Sequence, residues 1–338
     1  MVSPPLPPPC FTFTTCRDWC YNRSFLSAGL RASTVELDSG RTTIRCWTPQ
    51  HPDPDNRPSL LLIHGFGANA TWQWAPYLRP LIRAGFDLYV PDLLFFGGSS
   101  TVRSERSDAF QADCVMAAME TMGVRQFRGV VGVSYGGFVG YRIAAMFPWA
   151  VERVVLICAG VCLEEKDLRE GMFVVNDLGE AASILLPQTP EMLRRLIRLS
   201  HCRPPALLPT CFLSDYIHVM CRDYVDEKTE LIFALIRDRK LSDLPKISQV
   251  NFIPPTLIIW GERDQIFPLE LGRRLKRHLD ENSRLEVIQD AGHAVNLEKP
   301  KDLCKLLRAF LRDSSQQQKN KYKVINPLLN QQFFFNDS

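Results

Sequence analysis

Four short apolar runs, each closed by turn residues, most narrow what this chain can fold into. They are Leu60-Leu-Leu-Ile before His64-Gly, Phe127-Arg-Gly-Val-Val before Gly132, Val151 to Cys158, and Thr256-Leu-Ile-Ile-Trp before Gly261. Runs this short, with little polar alternation, suit strands buried on both faces. Asp87-Leu-Tyr-Val and Arg284-Leu-Glu-Val-Ile add two more strands. Helical patterns fall between them, over 70–83, 106–121, Tyr135 to Phe147, 268–279 and 298–311. Strand and helix alternating through short connections predict an α/β fold with a mostly parallel sheet covered on both faces. Ahead of this, residues 33–48 are patterned as a hairpin turning at Asp38-Ser-Gly.

The alternation is interrupted over about 160–250, where apolar residues such as Met192, Leu193, Leu196 and Ile197 follow helical spacing. The expected organisation is therefore an N-terminal arm (1–32), a core in two parts (33–158 and 253–312), a helical cap inserted between them (159–252), and a Gln/Asn/Lys-rich tail (313–338) expected to be disordered. The arm starts Pro-rich and continues through Phe11, Phe13, Trp19, Tyr21 and Phe25. It either packs on the body or touches a membrane surface.

Charge and cysteines limit the partners. Lys and Arg number 40 against 37 Asp and Glu, so the net charge is 40 − 37 = +3 over 338 residues. That balance argues against nucleic acid or an anionic membrane as the main partner. The 11 cysteines are scattered with no CxxC spacing, which favours a reducing compartment over a disulfide framework. No uncharged apolar run reaches the roughly 18 residues of a membrane span. The prolines at 4, 5 and 7–9 break any signal-peptide core. The expected location is cytoplasmic; Arg17, Arg23 and Arg31, with few acids nearby, leave organellar targeting or peripheral membrane contact as the alternatives.

The chemistry concentrates at the ends of the buried runs. Gly132-Val-Ser134-Tyr-Gly136 lies where a strand gives way to a helix. A serine on that sharp turn needs small residues two before and two after it, and the turn lifts its hydroxyl above the sheet. It also leaves the Tyr135 amide at a helix N-terminus, suited to an oxyanion. His64-Gly-Phe-Gly67 follows another buried run, so the Phe66 amide is a second candidate donor. Asp264 and His293 each follow their own strand. Singly, each has a plainer explanation: an inert serine in a Gly-rich turn, a tight βα loop, a capping aspartate, a solvated histidine. Ser, then Asp, then His, each past a strand's carboxyl end, is the order of a hydrolase triad.

Together with Pro91-Asp92, Gly97-Gly98-Ser99 and Gly292-His293, these motifs make the chain resemble α/β-hydrolase-fold serine hydrolases over about 55–312. It is most similar to the plant branch akin to meta-cleavage-product hydrolases and monoacylglycerol lipases. The resemblance implies an eight-stranded, mostly parallel sheet with a helical cap after the sixth strand. Leu93-Leu-Phe-Phe96 departs from the pattern, being unusually apolar for a loop, and would suit a greasy pocket wall.

Ser134, His293 and Asp264 would then be nucleophile, base and orienting acid, with Phe66 and Tyr135 forming the oxyanion hole and meeting the substrate. This chemistry needs no metal or cofactor. His201, Cys202, Cys211, His218 and Cys221 fit no standard zinc spacing. Arg194, Arg195 and Arg198 suit a solvated helix face, or contact with an anionic substrate or membrane. Asp92 precedes the serine and is expected to hold its loop rather than serve as the acid. The expected substrate is a carboxylic ester with an apolar part. C–C hydrolysis of a diketone-like substrate and a hydrolase-fold receptor are the alternatives. Ser134 argues against epoxide hydrolases and haloalkane dehalogenases, which use aspartate there.

Overall fold

A computed structural model describes residues 12–55, 57–247 and 254–313. The Pro-rich start through Phe11, the tail from 314 and the end of the predicted insertion (248–252) lie outside the described residues. Helix α1 (Phe13–Ser27) leads into the hairpin of β1 (Leu30–Leu37) and β2 (Thr42–Pro49). Then come β3 (Ser59–Ile63), α2 (Ala70–Trp74), α3 (Leu78–Arg83), β4 (Asp87–Pro91), the two-residue β5 (Ser100–Thr101), α4 (Asp108–Thr121), β6 (Gly129–Val133), α5 (Tyr135–Met146) and β7 (Val154–Ile157). Five helices follow: α6 (Glu165–Arg169), α7 (Leu178–Leu185), α8 (Pro190–Ser200), α9 (Thr210–Tyr216) and α10 (Val225–Ile236). The chain re-enters the sheet at β8 (Thr256–Gly261), then forms α11 (Leu269–Leu279), β9 (Ser283–Ile288), α12 (Val295–Glu298) and α13 (Pro300–Arg312).

The strands form one sheet ordered β1-β2-β4-β3-β6-β7-β8-β9, with β5 paired to β2. From β4 to β9 the neighbours are parallel, and the hairpin edge is antiparallel. The period of two along each strand divides the core. Leu60, Leu62, Val131, Val155, Ile157, Leu257 and Ile259 face one layer. Leu61, Ile63, Val130, Val154, Leu156, Ile258 and Trp260 face the other. The first layer is closed by Trp74, Leu81 and the α13 stripe Leu303, Leu307 and Leu311, all fully buried. The second is closed by α4, α5 and α11. Burying each such leucine contributes about 1.5–3 kcal/mol.

Ionic contacts tie the inserted helices to this core. Arg274 of α11 grips Asp167 with two bonds, at 2.7 and 3.0 Å, and donates to the Cys162 carbonyl. Asp108 of α4 accepts from Arg142 at 3.0 Å and from Arg239, beyond α10, at 3.3 Å. Removing one partner of such a buried pair typically costs about 3–5 kcal/mol, so the helices from 165 to 236 are held at both ends.

Several expectations change. The sheet has nine strands because of β5. The predicted helix over 70–83 is broken into α2 and α3 by a tight turn at Ala75–Tyr77, where Pro76 has no N–H to continue the ladder. The helix predicted from 298 is split at Lys299, just ahead of Pro300. The strand predicted from Val151 starts at Val154; Val151 makes only a bridge to Phe127. The aromatic arm is a helix from Phe13, capped by Thr12. Leu93, Leu94, Phe95 and Phe96 do not line the cavity described below; they are buried in the core. A loop that apolar gains more from burial than from facing a cleft.

Candidate active site

The strand-to-helix turn after β6 places Ser134 at φ 53° and ψ −121°, a conformation that crowds any residue bearing a β-carbon. Neighbouring glycines make it possible. A β-carbon on Gly132 would overlap the Gly136 carbonyl, and one on Gly136 would overlap the carbonyls of Ile63 and His64. The Ser134 amide still donates to the Ile157 carbonyl at 2.8 Å, so the turn stays attached to β7.

The Ser134 hydroxyl meets His293 Nε2 at 2.9 Å, and His293 Nδ1 meets Asp264 Oδ2 at 2.8 Å. The carboxylate accepts the Nδ1 proton, which leaves the Nε2 lone pair facing the serine. The other oxygen of Asp264 accepts amides from Ile266 at 2.9 Å and Phe267 at 2.8 Å. The Phe267 ring also packs beside the imidazole, 5.5 Å between centroids. Ser134 and His293 lie 159 positions apart in the chain; the sheet brings them, with Asp264, within hydrogen-bond reach at its carboxyl edge.

The loop after β3 passes directly over the serine. A β-carbon on Gly65 would lie 3.1 Å from that of Ser134. Phe66 follows Gly65, and Tyr135 follows Ser134 as the first residue of α5, so both belong to the two segments that approach each other here. Their side chains differ. The Phe66 ring borders the cavity, whereas the Tyr135 ring is buried edge-on to it at 4.7 Å. Contact between Tyr135 and a ligand is thus confined to its backbone. His64 is fully buried and supports the loop: Nδ1 lies 2.9 Å from the Gly65 carbonyl, and Nε2 accepts the Leu93 amide at 3.0 Å. Burial lowers its pKa below the ordinary 6.5, consistent with a neutral ring that donates from one nitrogen and accepts at the other. Asp92 accepts amides from Ala70 at 2.8 Å and Gly98 at 3.1 Å, so it holds the next loop.

Above Ser134 lies a cavity of about 460 Å³, bounded by Val133, Trp72, Leu196, Ile197, Tyr216 and Ile266 among others. Its wall comes from α1, the loops after β3 and β8, and the inserted helices. A more open groove of about 850 Å³ runs between Pro76 and the basic side of α13; it lies away from Ser134 and His293.

Three contacts had no sequence signal. Tyr216, whose phenol is kept protonated by burial, donates to the Gly67 carbonyl. It ends α9 where the helix widens into a π-helical turn, Ile217–Cys221. Glu298 accepts the amides of Gly292 at 2.7 Å and Cys202 at 3.0 Å, fastening the His293 loop to the inserted segment. Cys158, also at positive φ, is buried beside Asp264. With Asp264 and His293 it forms the one group of three potential metal donors among the described residues. Burial pushes its thiol well above the usual range, and the other two are bonded to each other, so the set is unsuited to a cation. His201, Cys202, Cys211, His218 and Cys221 do not gather into such a group. Arg195 pairs with Glu180 at 2.6 Å, and Arg194 donates to Thr210 at 2.6 Å.

A sequence profile of the alpha/beta hydrolase fold matches residues 58–300. A monoacylglycerol lipase of Xenopus laevis, abhd6-A, is 26% identical over 285 residues, covering 82% of this chain and 81% of that protein. A 2-hydroxy-6-oxononadienedioate/2-hydroxy-6-oxononatrienedioate hydrolase of Klebsiella pneumoniae is 24% identical over 287 residues, covering 82% and 94%. The crystal structure of a bacterial membrane phospholipase A superposes with a TM-score of 0.68 at 25% identity, covering 88% of this chain and 91% of that one.

Proposed function

The chain belongs to the alpha/beta hydrolase fold family, and on that premise we propose that it cleaves carboxylic esters with an apolar acyl or alkyl part, using Ser134 as nucleophile. The observation that carries this reading is the continuous relay from Ser134 through His293 to Asp264, at 2.9 and 2.8 Å, on the floor of a largely apolar cavity.

In this reading His293 takes the serine proton as Oγ attacks the ester carbonyl, then returns it to the leaving alcohol. Asp264 fixes the imidazole and stabilises its charged form. The Phe66 and Tyr135 amides meet the oxyanion; losing one such donor costs on the order of 3 kcal/mol of activation free energy. Water then hydrolyses the acyl-enzyme by the same relay. Helices α6 to α10 serve as the cap, excluding water and selecting the chain by shape. Hydrolytic C–C cleavage of a diketone-like acid is less well served. Among the described residues lining the cavity, the permanently charged side chain is Arg17, which is exposed on α1 and bonded to Tyr21. A carboxylate held near Ser134 would lack a buried cation.

Turnover of p-nitrophenyl esters from acetate to dodecanoate tests this. kcat/KM should rise with chain length to a maximum, and Ser134→Ala should abolish it with the fold intact by circular dichroism. Turnover that persists in Ser134→Ala, or that appears only with a diketone acid, would overturn the ester reading.

A further inference from the structure

Cys158 is a buried thiol beside the relay, and the ester mechanism gives it no part. It follows β7 directly, and its amide donates to the Ile259 carbonyl at 2.8 Å, so it stands next to the strand that leads to Asp264. Its φ is 46°, a region that residues with a β-carbon seldom adopt. The sulfur, a carboxylate oxygen of Asp264 and a ring nitrogen of His293 all lie within 4.8 Å of one another. The hydrogen-bonding neighbours of the thiol are the Gly261 backbone and the Asp264 carboxylate. Burial keeps the thiol protonated, so toward that carboxylate it acts as an S–H donor.

The carboxylate has room for it. An ionised carboxylate offers about four acceptor sites. In Asp264 one oxygen takes the Ile266 and Phe267 amides and the other takes His293 Nδ1, which fills three. The Asp264 side chain is 0% exposed, so bulk water is kept from the fourth. Each donor draws negative charge toward itself and away from the imidazole. A thiol is a weak donor; it satisfies the site and leaves most of that charge to His293. The charged and titratable groups on the neighbouring elements are engaged elsewhere. Arg263 pairs with Glu262 and Asp290, and Glu298 holds the Gly292 and Cys202 amides. His201 Nδ1 lies 3.0 Å from the Ser200 hydroxyl, and Arg17 is bonded to Tyr21.

We propose that Cys158 is a positioning residue for the relay: its thiol closes the last acceptor site of Asp264 and thereby sets how basic His293 is. This rests on the reading of Ser134, His293 and Asp264 as an ester-hydrolase triad. A hydroxyl in the same place, a stronger donor, competes with the imidazole for the carboxylate and makes His293 a weaker base. A methyl group leaves the carboxylate to His293 and makes it a stronger one.

The test is the pH dependence of kcat/KM on p-nitrophenyl acetate for the full chain and its Cys158→Ser and Cys158→Ala variants, with thermal unfolding as the check on the fold. Activity rises with pH as His293 loses its proton. That limb should move down by about half a pH unit in Cys158→Ser and up by about half a unit in Cys158→Ala, with KM little changed. A residue that only fills space would lower kcat in both variants and move the limb in neither. Limbs that stay in place, or that move the same way in both variants, would overturn the proposal; if only one variant folds, its direction decides. The His293 Nδ1 proton gives a second reading by NMR that needs no turnover. Its resonance should move upfield in Cys158→Ser and downfield in Cys158→Ala, and a resonance unmoved in both would also overturn the proposal. Absent ester turnover in the parent would instead count against the hydrolase reading, and the resonance would still report on Cys158.

Discussion

Ser134 is held in a backbone conformation that costs on the order of 1–3 kcal/mol, and the residues around it show how that strain is accommodated. Gly65, Gly132 and Gly136 each sit where a β-carbon would strike the backbone or Ser134 itself. The demand was legible in the sequence because it is local: glycines two before and two after the serine follow from the turn. It leads to a prediction. Gly136→Ala should push α5 away from the end of β3, lowering stability by about 1–3 kcal/mol as overpacking does. It should also lower ester kcat about a hundredfold, the cost of an ångström-scale misplacement. Urea denaturation and single-substrate kinetics measure the two effects; a variant with parental values in both would show the turn to be slack. Cys158 and Glu298 were not legible, since their importance lies in partners brought close by folding. Glu298 reaches Cys202, 96 positions away, and no local pattern announces that.

At the scale of elements, the buried strands announced themselves and the helices on the rim did not. α1 turns Thr14, Asp18, Tyr21 and Phe25 toward the body. Those types mix polar and aromatic character, so no apolar stripe marks the helix, and the residues resemble an irregular arm. Leu93 to Phe96 misled in the opposite sense, because apolar residues after a strand can enter the core as easily as a cleft. The π-helical turn after α9 had no sequence signature either, yet it accompanies Tyr216 and its bond to Gly67. Through that bond the inserted helices hold the loop that carries the Phe66 amide. Tyr216→Phe would leave the Gly67 carbonyl without its donor, at a cost of about 1–3 kcal/mol. On p-nitrophenyl acetate, kcat should fall about tenfold with KM little changed, since the loop would serve the transition state more than the ground state. A rise in KM at constant kcat would make Tyr216 a binding contact instead.

For the molecule as a whole, alternating strands and helices were enough to anticipate a mostly parallel sheet, and the motifs past its strands placed Ser134, Asp264 and His293 at the carboxyl edge. The break in that alternation located the helices between β7 and β8. What pattern could not supply was the fit between the parts: Arg274 with Asp167, Asp108 with Arg239, and α1 beside α9 at the cavity mouth. These depend on side chains from distant segments meeting in one geometry. The central claim is that this assembly makes one serine reactive. Treatment of the full chain with a fluorophosphonate probe, followed by peptide mass mapping, tests it directly. A single adduct on Ser134 is expected, lost in Ser134→Ala and formed at least about a thousandfold more slowly in His293→Ala, as for triads whose base is removed. Labelling at another residue, or labelling of Ser134→Ala at the parental rate, would contradict it.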